Sequence, residues 1–219
     1  MAKQQPVALV FAGPVSRGSL GRLPGLRQAL AWVKSSSIAT ASRAVHALHE
    51  GRAVAHYADL EEASIILVSV PEHAIKGTVD ALAESCLTWQ HKTVVLFDTC
   101  ADSSALEPLA VRGAETATLL FHARPEQFLC EGSTEALRAV RRLTGTTTLL
   151  VLRDKAAYFR AVDLTTAAFY PLFSAAVDAF CSGGMTKSEA EKTTAAMIAE
   201  SARTFLRAGK RLLKRAAKP

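Results

Sequence analysis

The sequence predicts an α/β fold class: a doubly wound, mostly parallel sheet followed by a small all-helical domain. Three observations carry this. Short β-branched runs alternate with alanine-rich stretches of helical period as far as Leu152. Strand signals stop there. A glycine-bearing loop, Gly13-Pro14-Val15-Ser16-Arg17-Gly18, follows the first apolar run directly, where a doubly wound fold places its phosphate-binding turn. The expected division is therefore a Rossmann-like dinucleotide-binding domain over 1–152 and a helical domain over 153–219.

In chain order, the expected strands are Val7–Phe11, Leu30–Lys34, Ala53–His56, Ile65–Val70, Thr93–Asp98, Thr116–Phe121 and Thr147–Leu152. Between them Ile38–His49 reads as a helix, with Ser37 as its N-cap and Gly51 just past its end. Lys76–Cys86, Ser103–Arg112 and Ser133–Leu143 read as three more. Asp154–Phe180 is an alanine-rich helical stretch with only Pro171 as a breaker. Cys181-Ser182-Gly183-Gly184 separates it from a last helix opened by the capping-box pattern Thr186-Lys187-Ser188-Glu189.

Composition narrows the function classes. Hydrophobic residues make up 49% and charged residues 21% of the 219, which excludes a largely disordered chain. The net charge of +6 is concentrated at one end: seven of the 26 Lys and Arg follow the last acid, Glu200, so the basicity says little about the rest of the protein. The four cysteines form no C-x-x-C pair and are read as reduced thiols, and with the six scattered histidines they give no zinc spacing. Counting Ile65 to Pro71 as the longest uncharged apolar run, no segment reaches the roughly 20 residues of a membrane span. The N-terminus lacks a secretory signal pattern, and a cytoplasmic protein is expected.

The loop after the first strand has glycines at the first and third positions of G-x-G-x-x-G and Val15 at the second. The first glycine permits the tight turn, the second lets a pyrophosphate approach the backbone, and the third permits close helix packing. Val15 puts a branched side chain where phosphate comes close. Ser16, Arg17 and the helix-opening amides could still bind phosphate; the alternative is a loop that merely turns the chain. The second strand ends in Lys34-Ser35-Ser36-Ser37, where NAD-binding folds place an acid. A cation with three hydroxyls suits a 2′-phosphate and so NADP. The alternative is a solvated lysine and serines that only cap the next helix.

With these two segments and Val68-Ser69-Val70-Pro71-Glu72-His73-Ala74-Ile75 in place, the sequence resembles a family of bacterial Rossmann-like proteins with a C-terminal helical domain. They are commonly labelled NADP-dependent oxidoreductases and are similar to pyrroline-5-carboxylate reductases and the 6-phosphogluconate dehydrogenase group. The resemblance runs from Val7 to about Gly209. It implies a cofactor beside the Val70-Pro71 turn and dimerisation through the helical domain. This chain has Asp98-Thr99-Cys100-Ala101 where the family has His-Thr-Ser-Gly. It has His122 with Pro125 displaced where the family has His-Pro, and Tyr158-Phe159 with Ala167 where the family has Tyr-His with a downstream Asn.

A catalytic site in this fold class lies at the carboxyl ends of the strands, which gathers Pro71, Glu72, His73, Asp98, Thr99, Cys100, His122, Lys155 and Tyr158 as candidates, with Val70, Pro71, Asp98 and Thr99 also expected to contact the cofactor. Histidine has an unperturbed pKa near neutrality, which makes His122, after a strand, the candidate general acid, against the reading of an ordinary loop histidine. Lys155 and Tyr158, three apart on a helix, present an ammonium and a phenol on one face, although Tyr158 also suits a packing role. Two functions stay open: an NADP-linked oxidoreductase of a small carbonyl or imine, and a non-catalytic dimeric module with a degenerate nucleotide site. In the last helix Ile198, Ala202, Phe205, Gly209 and Leu212 draw an apolar stripe. A second subunit is its favoured cover, ahead of packing within a monomer and of an anionic membrane or nucleic acid.

Overall fold

The computed structural model of the chain describes residues 5–13, 20, 23–121, 127–145 and 149–208. Continuous apolar runs such as Val7-Ala8-Leu9-Val10-Phe11 send side chains alternately to both faces of a strand. All five are buried, the signature of a strand covered on both sides. The strands are β1 (Val7–Phe11), β2 (Leu30–Lys34), β3 (Arg52–Val54), β4 (Ile65–Ser69), β5 (Thr93–Phe97), β6 (Glu115–Phe121), β7 (Phe128–Gly132) and β8 (Leu149–Val151). They form one sheet in the order β3-β2-β1-β4-β5-β6-β7-β8. Pairing is parallel from β3 to β6, antiparallel between β6 and β7, and parallel between β7 and β8. This is the doubly wound Rossmann order with two reversed strands added.

Alternate strand residues feed two cores. On one face Leu9, Leu67, Val95 and Leu119 pack with Leu26, Ala41, Ala44, Val140 and Leu143, supplied by helices α1 (Pro24–Ala29), α2 (Ile38–Leu48) and α5 (Thr134–Thr144). On the other, Val10, Ile66, Val68 and Leu96 pack with Ile75, Val79, Leu82, Leu106 and Leu109. That layer comes from α3 (Glu72–Ala83), α4 (Glu107–Ala110) and two 3-10 turns, Tyr57–Leu60 and Ser103–Leu106. At roughly 25 cal/mol per Å² of apolar surface, these two layers are the main stabilising term.

Several local readings shift. β1 and β2 match their expected bounds. The expected helix Lys76–Cys86 begins four residues earlier, because Pro71 occupies the N-cap with φ −56° and Glu72 places an acid in the first turn. Ser37 caps α2 as expected, its Oγ accepting from the Thr40 amide at 3.1 Å. The left-handed residue that ends α2 is His49, not Gly51. The sequence reading omits α1 and β7 altogether.

The chain divides into two compact units, Met1–Ala156 and Ala157–Pro219. The expected single helix Asp154–Phe180 is two helices, α6 (Lys155–Thr165) and α7 (Tyr170–Ser182), followed by α8 (Lys187–Ala208). The hydroxyl of Thr165 donates to the carbonyls of Ala161 and Val162, and that of Thr166 to Val162, which competes with helix continuation. Pro171 falls in the first turn of α7, where its missing N–H costs nothing. The α8 capping box forms, with the Thr186 amide donating to Glu189 at 3.0 Å and the Glu189 amide to Thr186 Oγ1 at 3.4 Å. By length and composition alone Lys155–Ser182 is long and apolar enough to cross a membrane, its most apolar 18-residue window having a mean hydropathy of 1.3. The uncharged stretch Leu164–Val177 that produces this is longer than the Ile65–Pro71 run on which the expectation of no span rests.

Candidate functional site

The winding direction reverses between β1 and β4, and crossovers that diverge there leave a crevice at the carboxyl ends of the two strands. The Ala12 amide still donates to Ser69 O at 3.2 Å, and the chain then turns through Gly13 at φ +87°. A side chain is strained at that φ whatever the space. A Cβ there would lie 3.9 Å from Pro71 Cγ, so the exits of β1 and β4 adjoin. Val70 is buried and Pro71 exposed beside it. Of the remaining loop candidates, Pro14, Val15, Ser16, Arg17 and Gly18 lie outside the described residues, as does His122.

One strand away, the exit of β2 divides its four candidates by role. Ser35 is buried and its Oγ donates to Phe11 O at 3.0 Å, tying the ends of β1 and β2 together. Ser37 is occupied in capping α2, and its Oγ also shares a hydrogen bond with Thr40 Oγ1 at 2.9 Å. Ser36 is exposed at the N-terminal end of α2. The Lys34 ammonium donates to Ser35 O at 2.5 Å and lies 4.8 Å from the centroid of the Tyr57 ring. Burial lowers its pKa below the usual lysine value. Sequence reasoning missed Tyr57, because nothing in a lone aromatic after a three-residue strand points back to β2.

The exit of β5 is built differently. Asp98 is exposed and left-handed at φ +58°, a conformation that Asp tolerates better than most residues. Its amide donates to Leu119 O at 2.9 Å. Thr99 is buried, and its Oγ1 accepts from the Ala101 amide at 3.2 Å. Beneath this turn Lys155 is buried at 4% exposure and donates to the carbonyls of Thr99 at 2.9 Å and Ala101 at 2.5 Å. Burial lowers its pKa, opposed by the charges of Glu131, Cys100, Asp102 and Glu72. Glu131 also holds this loop, accepting from the amide and hydroxyl of Ser103 at 3.1 and 2.7 Å. Lys155 therefore clamps the β5 exit. Tyr158, half-buried in the second unit, meets Phe159 edge to face at 5.4 Å.

The exits of β1, β2, β4 and β5 thus form a ledge carrying a glycine turn, a partly buried cation and a helix N-terminus. Helix-opening amides and a lysine ammonium are groups that can bind phosphate. Among the described residues no cluster of His, Cys, Asp and Glu is arranged to hold a metal ion. The four cysteines are free thiols, and burial pushes that of Cys130 up to about 11.

No family model matches the sequence, and no curated protein matches it. Solved structures do. A provisionally assigned NADP oxidoreductase from Bacteroides fragilis is 12% identical with a TM-score of 0.69, over 92% of this chain and 80% of that one. A reductive aminase from Aspergillus terreus, solved with NADPH and ethyl levulinate, is 16% identical with a TM-score of 0.62, over 95% and 77% of the two chains. A pyrroline-5-carboxylate reductase from Coxiella burnetii is 13% identical with a TM-score of 0.53, over 99% and 86%. At these identities the likeness is one of fold: a Rossmann-like sheet with a C-terminal helical region.

Proposed function

We propose that the chain is a cytoplasmic NADP(H)-dependent oxidoreductase acting on the C=N or C=O bond of a small molecule. One observation carries the reading: Gly13 turns at φ +87° against Pro71, with the Lys34 ammonium at the exit of the neighbouring strand. The residues fit the dinucleotide. Gly13 gives the turn its left-handed backbone, Lys34 and the exposed Ser36 would supply a charge and a hydroxyl for a 2′-phosphate, and Val70, Pro71, Asp98 and Thr99 are the proposed residues at the far end. NADPH, when bound, supplies a hydride. The chain's residues bind and orient it, and Lys155 fixes the Thr99–Ala101 backbone at that end. His122 is the proposed proton donor to the reduced atom. The described neighbours that reduce such bonds support the substrate class.

The test is binding to the intact chain. Thermal shift and titration calorimetry with NADPH, NADP⁺, NADH and NAD⁺ are expected to show the largest midpoint rise with the phosphorylated pair. A ligand at a hundred times its Kd adds about 2.7 kcal/mol of stability. Lys34→Ala should weaken NADPH binding by about 1.5–3 kcal/mol. No shift with any of the four would leave a fold without its cofactor and favour the non-catalytic module. Tighter NADH binding would overturn the choice of NADP.

A further inference from the structure

Lysine ends in a flexible four-carbon stem, so holding its ammonium in one place costs rotamer entropy. Here it is already placed. The Lys34 ammonium sits 4.8 Å from the Tyr57 ring centroid, within the range in which a ring face attracts a cation, and donates to Ser35 O at 2.5 Å. Ser35 is in turn fixed by its bond to Phe11 O. Tyr57 is fixed as well. It opens the 3-10 turn in which the His56 amide donates to Asp59 Oδ2 at 3.0 Å, and Leu60 of the same turn is fully buried. The ring is half-buried, and burial raises the pKa of its phenol while lowering that of Lys34. Less water around the pair strengthens a charge-quadrupole attraction.

We propose, on the basis of the cofactor reading above, that Tyr57 is a positioning residue for cofactor choice: its ring holds the Lys34 ammonium at the exit of β2, poised for the 2′-phosphate that distinguishes NADP from NAD. The two serines flanking Ser36 leave this task to the lysine, since Ser35 is engaged by the β1 carbonyl and Ser37 by the α2 cap. The ring acts through the lysine and need not touch the ligand. It should therefore affect phosphorylated ligands alone.

The experiment compares wild type, Tyr57→Phe, Tyr57→Leu and Tyr57→Met by calorimetric titration with NADPH, NADH and 2′,5′-ADP. Tyr57→Phe keeps the ring face and should keep the wild-type ratio of NADPH to NADH affinity. Tyr57→Leu and Tyr57→Met should weaken NADPH and 2′,5′-ADP about three- to tenfold and leave NADH unchanged. Unchanged NADH binding shows that the site is intact, and the methionine variant, which fills volume without a ring face, covers a leucine variant that fails to fold. A wild-type ratio in both aliphatic variants overturns the inference while the cofactor reading stands. So does a phenylalanine variant as impaired as the leucine one. A wild type with no preference for NADPH overturns the cofactor reading and the inference together.

Discussion

Lys155 joins two segments far apart in sequence: its ammonium donates to carbonyls 56 and 54 residues upstream. Its place after the last strand made it legible as a site candidate. Its partners were not legible, because backbone carbonyls carry no sequence signal. Lys155→Met should leave the buried Thr99 carbonyl and the partly buried Ala101 carbonyl without this donor and cost about 1–3 kcal/mol at pH 7, measured by denaturant unfolding. Burial depresses the folded pKa of Lys155 below 10.5. Between that depressed value and 10.5 the unfolded chain holds a proton that the folded chain has released, so stability from this group rises with pH. The gap between wild type and Lys155→Met should widen from pH 7 towards pH 10; a constant gap would show that burial does not burden the charge. Gly13 shows the opposite case, since its left-handed φ follows from glycine at the end of an apolar strand.

Helix α1 went unread because Pro24-Gly25 looks like a turn. Its glycine is required by packing instead: a Cβ on Gly25 would lie 2.1 Å from Arg142 O and 2.9 Å from Leu143 O at the end of α5. Gly25→Ala should force the two helices apart, cost at least about 1–3 kcal/mol and lower Tm in a thermal scan. A neutral outcome would mean that α1 shifts freely. Strand β7 was missed for a different reason. Phe128-Leu129-Cys130-Glu131-Gly132 is a weak β pattern, and its antiparallel pairing with β6 breaks the expected βαβ rhythm. Among the legible strands, β1, β4 and β5 are buried along nearly their whole length and read as unbroken apolar runs, while β2, β3, β6 and β8 were legible from shorter β-branched or apolar stretches. The break between α6 and α7 depends on threonine hydroxyls turning back on the helix, which hydrophobic periodicity does not register.

At the scale of the molecule, the second unit leaves much apolar surface in water. Leu164, Leu172 and Leu206 are 70%, 67% and 79% exposed, and Phe205 on the sequence-predicted stripe is 47% exposed. Patches of this kind mark interaction surfaces. A second copy of the chain is the proposed cover, and light scattering at tens of micromolar should report a dimer that Phe205→Asp converts to monomer. A monomeric wild type would overturn this, and sedimentation with lipid vesicles would point to a membrane as the cover of Lys155–Ser182. The sheet offers the partner little. Its two outermost strands, β3 and β8, are three residues each, too short a template for another chain to extend by strand addition. Among the described residues such stunted margins resist growth into sheet-linked aggregates, and the proposed self-association would fall to helices whose apolar faces one closed pair can satisfy.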